Sequence, residues 1–186
     1  MKVSGFTFIR NAITLDYPVV ESIQSILPLC DEVVVAVGNS EDQTLELIQN
    51  IDPKVKVIQT IWDDTLRANG AVLAQETDKA FAAINPEADW AFYIQGDEVI
   101  HEADHPAILA ALHKYQHDHE VDGLLFNYLH FYGSYDYVGI SNNWYKKEIR
   151  IIKPGRQIRS YRDAQGFRKA PDQKLKVAAI DARVFH

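Results

Sequence analysis

The chain has 186 residues, 47% of them hydrophobic, a net charge of −7 and a single cysteine, Cys30. This is apolar material enough for one sizeable core, and it excludes a disordered chain, an intramolecular disulfide framework and, for want of any run near ~18 apolar residues, a membrane-spanning helix. With no signal-peptide layout and no nucleic-acid reader motif in an acidic chain, the sequence reads as a soluble protein of the cytoplasm, working there or at the inner face of the membrane.

Val3 to Ile9 is expected as a strand that ends in Arg10-Asn11. Thr14 or Asp16 can cap a helix with Pro18 in its first turn and Val19, Ile23, Ile26 and Leu27 on one face. Asp31 to Val37 is a nearly continuous β-branched run, the mark of a strand buried on both faces, so the unit is β-α-β and the sheet parallel. The loop from Gly38 to Thr44 opens a helix over Leu45 to Ile51; Ser40 or Asp42 would cap it, and Asn39 or Asp42 could instead bond a ligand base or ribose. A third strand, Val55 to Ile61, runs into Trp62-Asp63-Asp64, and a helix is expected from about Thr65 to Ile84.

Ala91 to Ile94 is a short buried strand that discharges into Gly96-Asp97-Glu98. In open α/β sheets ligands collect beyond the carboxyl ends of the strands, and magnesium or manganese needs carboxylates on a rigid base. Gly96 lets the backbone turn, Asp97 can offer a metal ligand, and Glu98 can orient a water or a substrate hydroxyl. A solvated turn after a core strand is the plainer alternative.

Beyond Glu102 an amphipathic helix is expected over His105 to Tyr115, then strands at Val121 to Tyr132, Tyr135 to Ile140, Lys146 to Lys153 and Val177 to His186. The front is doubly wound α/β and the back mostly β. Charge divides further along the chain: Met1 to Tyr145 holds 7 Lys and Arg against 22 Asp and Glu, and Lys146 to His186 holds 12 against 4. Either the basic part closes over an anion such as a diphosphate, or the two parts attract each other across the fold. Trp144, Tyr145, Tyr128, Phe131 and Tyr132 offer an aromatic surface for stacking an acceptor sugar, or else pack the sheet.

The order of these features resembles family 2 glycosyltransferases of the GT-A fold: Arg-Asn after strand one, NSEDQT after strand two, Asp63-Asp64 after strand three, YIQGDE at strand four, then SYRDAQGFRK and a terminal DARVFH. The resemblance implies a Rossmann-like, mostly parallel central sheet in a single domain, with a nucleotide-sugar-binding half at residues 1–102 and an acceptor-side half at 103–186. It implies that Asp97 and His186 hold Mg²⁺ or Mn²⁺, and that Phe8, Arg10, Asn11, Asn39, Asp42, Asp64 and Arg67 bind the donor. Asp163 falls near the family's catalytic base; beside it, the residues themselves offer Glu98 as a second catalytic group, orienting a water or a substrate hydroxyl, and Trp144 and Tyr145 for acceptor binding.

Two departures bear on this. Gln95 replaces the first acid of the DxD pattern, which removes a charge and should lower metal affinity, and Val37-Gly38 stands where many members carry acids, against uracil recognition. Relatives usually continue through further helices where this sequence ends at His186, which points to a shortened chain or a reduced acceptor site. The expected reaction is inverting transfer of a sugar from a nucleotide diphosphate to a hydroxyl of a glycan, lipid-linked or protein acceptor. Gln95 and the short C-terminal part also suit a non-catalytic nucleotide or sugar binder. A nucleotidyltransferase is a further alternative, against which no Gly-rich basic loop follows strand one.

Overall fold

A computed structural model describes residues 1–141 and 143–186, with the side chains of all of these except 67–69. The four front strands are β1 (Val3–Ile9), β2 (Glu32–Val37), β3 (Val55–Gln59) and β4 (Trp90–Tyr93). They lie in the order β3-β2-β1-β4 and every pairing among them is parallel, with Phe6 opposite Val34 on one side and Tyr93 on the other. Every residue of β2 and β4 is buried. That is why both read as unbroken apolar runs, since helices cover both faces of a parallel sheet.

On one face α1 (Val19–Ile26), α2 (Thr44–Gln49) and α4 (His105–Tyr115) pack Ile23, Ile48 and Ile108 against Val33, Val35 and Phe92. On the other, α3 (Ala71–Ala82) sets Ala80 against Phe6, Val34 and Tyr93. The expected helix over Thr65–Ile84 is shorter than its periodicity suggested. Asp64–Gly70 is a 3-10 turn, and Gly70, at φ 68°, breaks it from α3. Neither Thr14 nor Asp16 caps α1: Asp16 is itself left-handed at φ 55°, and the Thr14 N–H donates to Asp42 at 2.8 Å.

The second half extends the same sheet. β9 (Lys147–Ile152) pairs antiparallel with β4 and with β6 (Gly123–Leu129), β13 (Val177–Phe185) runs parallel to β6, and β5 (Val99–Ile100) closes the far edge. The result is an eight-stranded, mostly parallel α/β sheet with flanking helices and a β-rich C-terminal part, as expected. Two smaller sheets stand beside it: the hairpin of β7 (Phe131–Tyr132) and β8 (Ser134–Val138), and the meander of β10 (Ile158–Tyr161), β11 (Gly166–Lys169) and β12 (Gln173–Lys174). The meander has no counterpart among the expected elements, because its apolar positions are sparse and separated by charge. Ile158 and Phe167 nevertheless bury against the α3 face of the sheet. Among the described residues, no helix is long and apolar enough to cross a membrane.

Candidate nucleotide-sugar site

Parallel pairing places the carboxyl ends of β1, β3 and β4 along one edge, and a cleft of about 780 Å³ opens there. Phe8, Arg10, Asn11, Asp64, Asp97 and Asp163, drawn from segments up to 155 residues apart, all line it. Arg10 faces Asp64 at 3.3 Å and lies 5.7 Å from the Trp62 ring centre, while its Nε is buried with no hydrogen-bond partner among the described residues. Trp62, which sequence reasoning passed over, packs 5.8 Å from Phe8 and gives the cleft an aromatic wall. Gly38 makes room for it: a Cβ there would fall 2.4 Å from Trp62 Nε1.

Asn39 and Asp42 line a neighbouring hollow rather than the cleft. Asn39 Oδ1 accepts from the Trp62 N–H at 3.2 Å. Asp42 accepts from the N–H groups of Thr14 at 2.8 Å and Thr44 at 3.0 Å, and from the Thr44 hydroxyl. Burial pushes the Asp42 carboxyl up, but these hydrogen bonds outweigh it and hold its pKa at about 2. Asn11, at φ 54°, ties the same loop through its Oδ1 to the Glu41 N–H at 2.8 Å. In this structure, then, Asn39 and Asp42 fasten the β2 loop. The side chain of Arg67 lies outside the described residues.

At the other end of the cleft Asp97 meets His186. The final strand clamps His186 in register, its N–H donating to Leu129 O at 3.0 Å and its carbonyl accepting from the Phe131 N–H at 2.7 Å. Its Nε2 then faces Asp97 Oδ2 at 3.6 Å, an ion-pair distance. Burial works to raise the Asp97 pKa, but the His186 ring, with Arg150 behind it, outweighs burial and holds the carboxyl below the usual range. Asp97 in turn raises the pKa of His186 against the cost of burying it. An oxygen and a nitrogen donor thus converge, a set that one divalent cation could bridge. Among the described residues no group of three His, Cys, Asp or Glu side chains is placed to hold an ion.

Glu98, expected beside Asp97 as a catalytic group, is turned into the protein. It is fully buried, and Arg150 grips it through Nε at 2.9 Å and Nη2 at 2.7 Å. The Tyr128 hydroxyl donates to it at 2.6 Å and the Gln95 N–H at 3.1 Å. Four donors occupy the carboxylate and it does not line the cleft, so its role is structural and the expectation is corrected. Arg150, whose guanidinium also donates to Gln165 O at 2.9 Å, joins the strand-four turn to the loop that carries Asp163. The signal for it was legible: a charge between apolar neighbours in a strand must find a partner.

That loop turns sharply, with Arg162 at φ 58° and Ala164 at φ 65°, and brings Asp163 against Gly70 at the start of α3. Gln95 Nε2 donates to Ala164 O at 3.3 Å and to the Tyr93 hydroxyl at 3.3 Å. Gln95 therefore braces the Asp163 loop.

Trp144 and Tyr145 lie on the far side of His186. Trp144 lines a separate hollow of about 640 Å³ with Tyr132, Tyr137 and Ile140, and packs on Gly139, where a Cβ would sit 2.5 Å from its Nε1. Tyr145 packs edge-on against His130 with ring centres 4.5 Å apart. His130, also passed over in the sequence, sits between these aromatics and His186.

No protein-family model and no curated protein matches the chain. Among solved structures it is similar to Staphylococcus aureus TarS 1–349: 22% identity and a TM-score of 0.54, over 76% of this chain and 39% of that one. The complex of TarS 1–349 with UDP matches at 22% identity and TM-score 0.53, over 76% and 38%, and the complex with UDP-GlcNAc at 22% and 0.54, over 76% and 37%. The chain spans about two-fifths of those proteins, and what it shares with them is the fold.

Proposed function

We propose that the chain transfers a sugar from a nucleotide-diphosphate donor to an acceptor hydroxyl, as an inverting, metal-assisted glycosyltransferase of the family 2 type. The observation that carries this reading is the meeting of Asp97 and Asp163 in one cleft with Arg10, Asp64 and the aromatic wall of Phe8 and Trp62. The fold shared with TarS, crystallised with UDP and with UDP-GlcNAc, supports a nucleotide-sugar donor.

In this reading Phe8 and Trp62 pack the nucleoside, and Arg10 gives its unpartnered Nε–H to a diphosphate oxygen. Asp97 and His186 hold Mg²⁺ or Mn²⁺, which when bound neutralises charge on the departing diphosphate. Asp163 takes the proton of the attacking hydroxyl, a contribution of about 10²–10⁴-fold. The aromatic hollow at Trp144 takes the acceptor.

A second reading, a non-catalytic nucleotide-sugar binder, is favoured by Gln95, whose amide is spent on Ala164 and Tyr93 and adds no charge beside Asp97. Calorimetric titration with UDP, GDP, CDP and dTDP, with and without Mn²⁺, tests the site: one nucleotide should bind, more tightly with metal, and Asp97→Ala should abolish the metal effect. Sugar transfer that falls by about 10²–10⁴-fold in Asp163→Asn with nucleotide binding intact is expected of the enzyme. Metal-dependent binding without transfer or donor hydrolysis would leave the binder, and metal-independent behaviour of both forms would refute the metal's role.

A further inference from the structure

His130 is 2% exposed and lies at the end of β6, in a strand-to-hairpin corner that none of the donor-site roles uses. Its Nε2 is 2.7 Å from the carbonyl oxygen of Tyr145, and its Nδ1 is 2.9 Å from Nδ1 of His186. A carbonyl oxygen only accepts, so Nε2 of His130 carries a hydrogen, and in the neutral ring Nδ1 is left as a lone pair. The partner nitrogen on His186 must then be the donor. The His186 hydrogen is held on Nδ1, and Nε2, the nitrogen facing Asp97 at 3.6 Å, is left to accept a proton or a metal.

From this chain of contacts we infer that His130 is a positioning residue: it fixes His186 in the tautomer whose hydrogen is on Nδ1 and whose Nε2 lone pair stands beside Asp97. The inference deepens the metal reading above and rests on it for its purpose, though the tautomer can be read without metal. Packing supports it. The His130 ring is stacked on Tyr128 at 5.3 Å, lies 4.9 Å from Trp144 and meets Tyr145 edge-on at 4.5 Å. Its backbone carbonyl accepts from the Gly139 N–H at 2.8 Å. A ring clamped on three sides holds its lone pair in one direction, as outer hydrogen-bond partners of metal-ligating histidines do.

Long-range ¹H–¹⁵N correlation spectra of the metal-free protein, at a pH where His186 is neutral, read the tautomers. Hydrogen on Nδ1 of His186 and on Nε2 of His130 is expected; hydrogen on Nε2 of His186 would overturn the inference. Two variants add a functional readout with Mn²⁺ alone, followed by loss of its free-ion paramagnetic resonance signal. His130→Phe keeps the ring volume and removes the acceptor, so Mn²⁺ affinity should fall about 10–100-fold. His130→Asn keeps an oxygen where Nδ1 stood and should recover most of that loss. Wild-type affinity in His130→Phe, or no recovery in a folded His130→Asn, would refute the positioning role. Absence of Mn²⁺ binding to the wild type would instead refute the metal reading, while the tautomer spectra still decide the role of His130.

Discussion

Replacing Arg150 by methionine removes one half of a charge pair that is wholly out of water. Arg150 is 1% exposed and Glu98 fully buried; two hydrogen bonds at 2.9 and 2.7 Å join them, and the guanidinium lies 5.2 Å from the Tyr93 ring centre and 5.3 Å from that of Tyr128. In Arg150→Met the Glu98 carboxylate would keep only the Tyr128 hydroxyl and the Gln95 N–H, and the Gln165 carbonyl would lose its donor. Stranding a buried charge in this way costs about 3–5 kcal/mol. In a chain of this size each kcal/mol moves the melting temperature by about 2–4 °C, so a fall of roughly 6–20 °C is expected. The partner experiment is Glu98→Gln combined with Arg150→Met, which removes both charges and leaves an amide that can still accept from Tyr128. The double variant should recover at least about 2 kcal/mol of the loss, because replacing both members of a buried pair is often near neutral. Urea denaturation at pH 7 measures all three. A cost below about 1 kcal/mol for Arg150→Met, or a double variant no more stable than the single one, would refute the structural role given to Glu98 and reopen a catalytic one.

Two other changes probe the frame of the cleft. Gly70→Ala would place a Cβ 2.5 Å from Cβ of Asp163 at a φ of 68°; it should cost about 1–3 kcal/mol in denaturant and lower the transfer rate more than nucleotide affinity, since Asp163 is what it displaces. Asp42→Ala should cost about 1 kcal/mol at pH 7, in the range of a helix cap. Its pH dependence has a definite sign: with a folded pKa of about 2, below the unfolded ~3.9, Asp42 stabilises fully above the unfolded value and loses that effect as pH falls through the folded one. Denaturation curves should therefore show a smaller Asp42→Ala penalty at pH 3 than at pH 7, and an equal penalty would put the stabilisation elsewhere.

The front of the molecule was legible because its physics is local. A strand buried on both faces must be apolar throughout, so β2 and β4 announce themselves, and in a parallel sheet the residues just beyond each strand share an edge. Phe8, Arg10, Asp64 and Asp97 follow from that rule. What the rule cannot supply is which of two adjacent acids turns inward. Asp97 and Glu98 are equivalent in the sequence; Arg150, 52 residues past Glu98, decides between them. His130 was missed for the same reason, since its meaning depends on His186, 56 residues on. The meander that delivers Asp163 was illegible as structure because only its inward positions, such as Ile158 and Phe167, are apolar.

The charge asymmetry of the chain resolves by the same long-range pairing. Arg150, Arg156, Lys169, Lys176 and Arg183, all from the basic C-terminal part, form ion pairs with Glu98, Asp122, Asp122, Glu120 and Asp104 of the acidic part. They hold the fold together rather than close over an anion, and among the described residues lining the cleft Arg10 is the only lysine or arginine. Among the described residues, then, Arg10 is the guanidinium that a diphosphate bound in this cleft would meet, and it faces Asp64. In the reading proposed above, the Asp97–His186 pair would supply, through the metal it holds, neutralising charge that the described basic side chains lining the cleft offer only at Arg10.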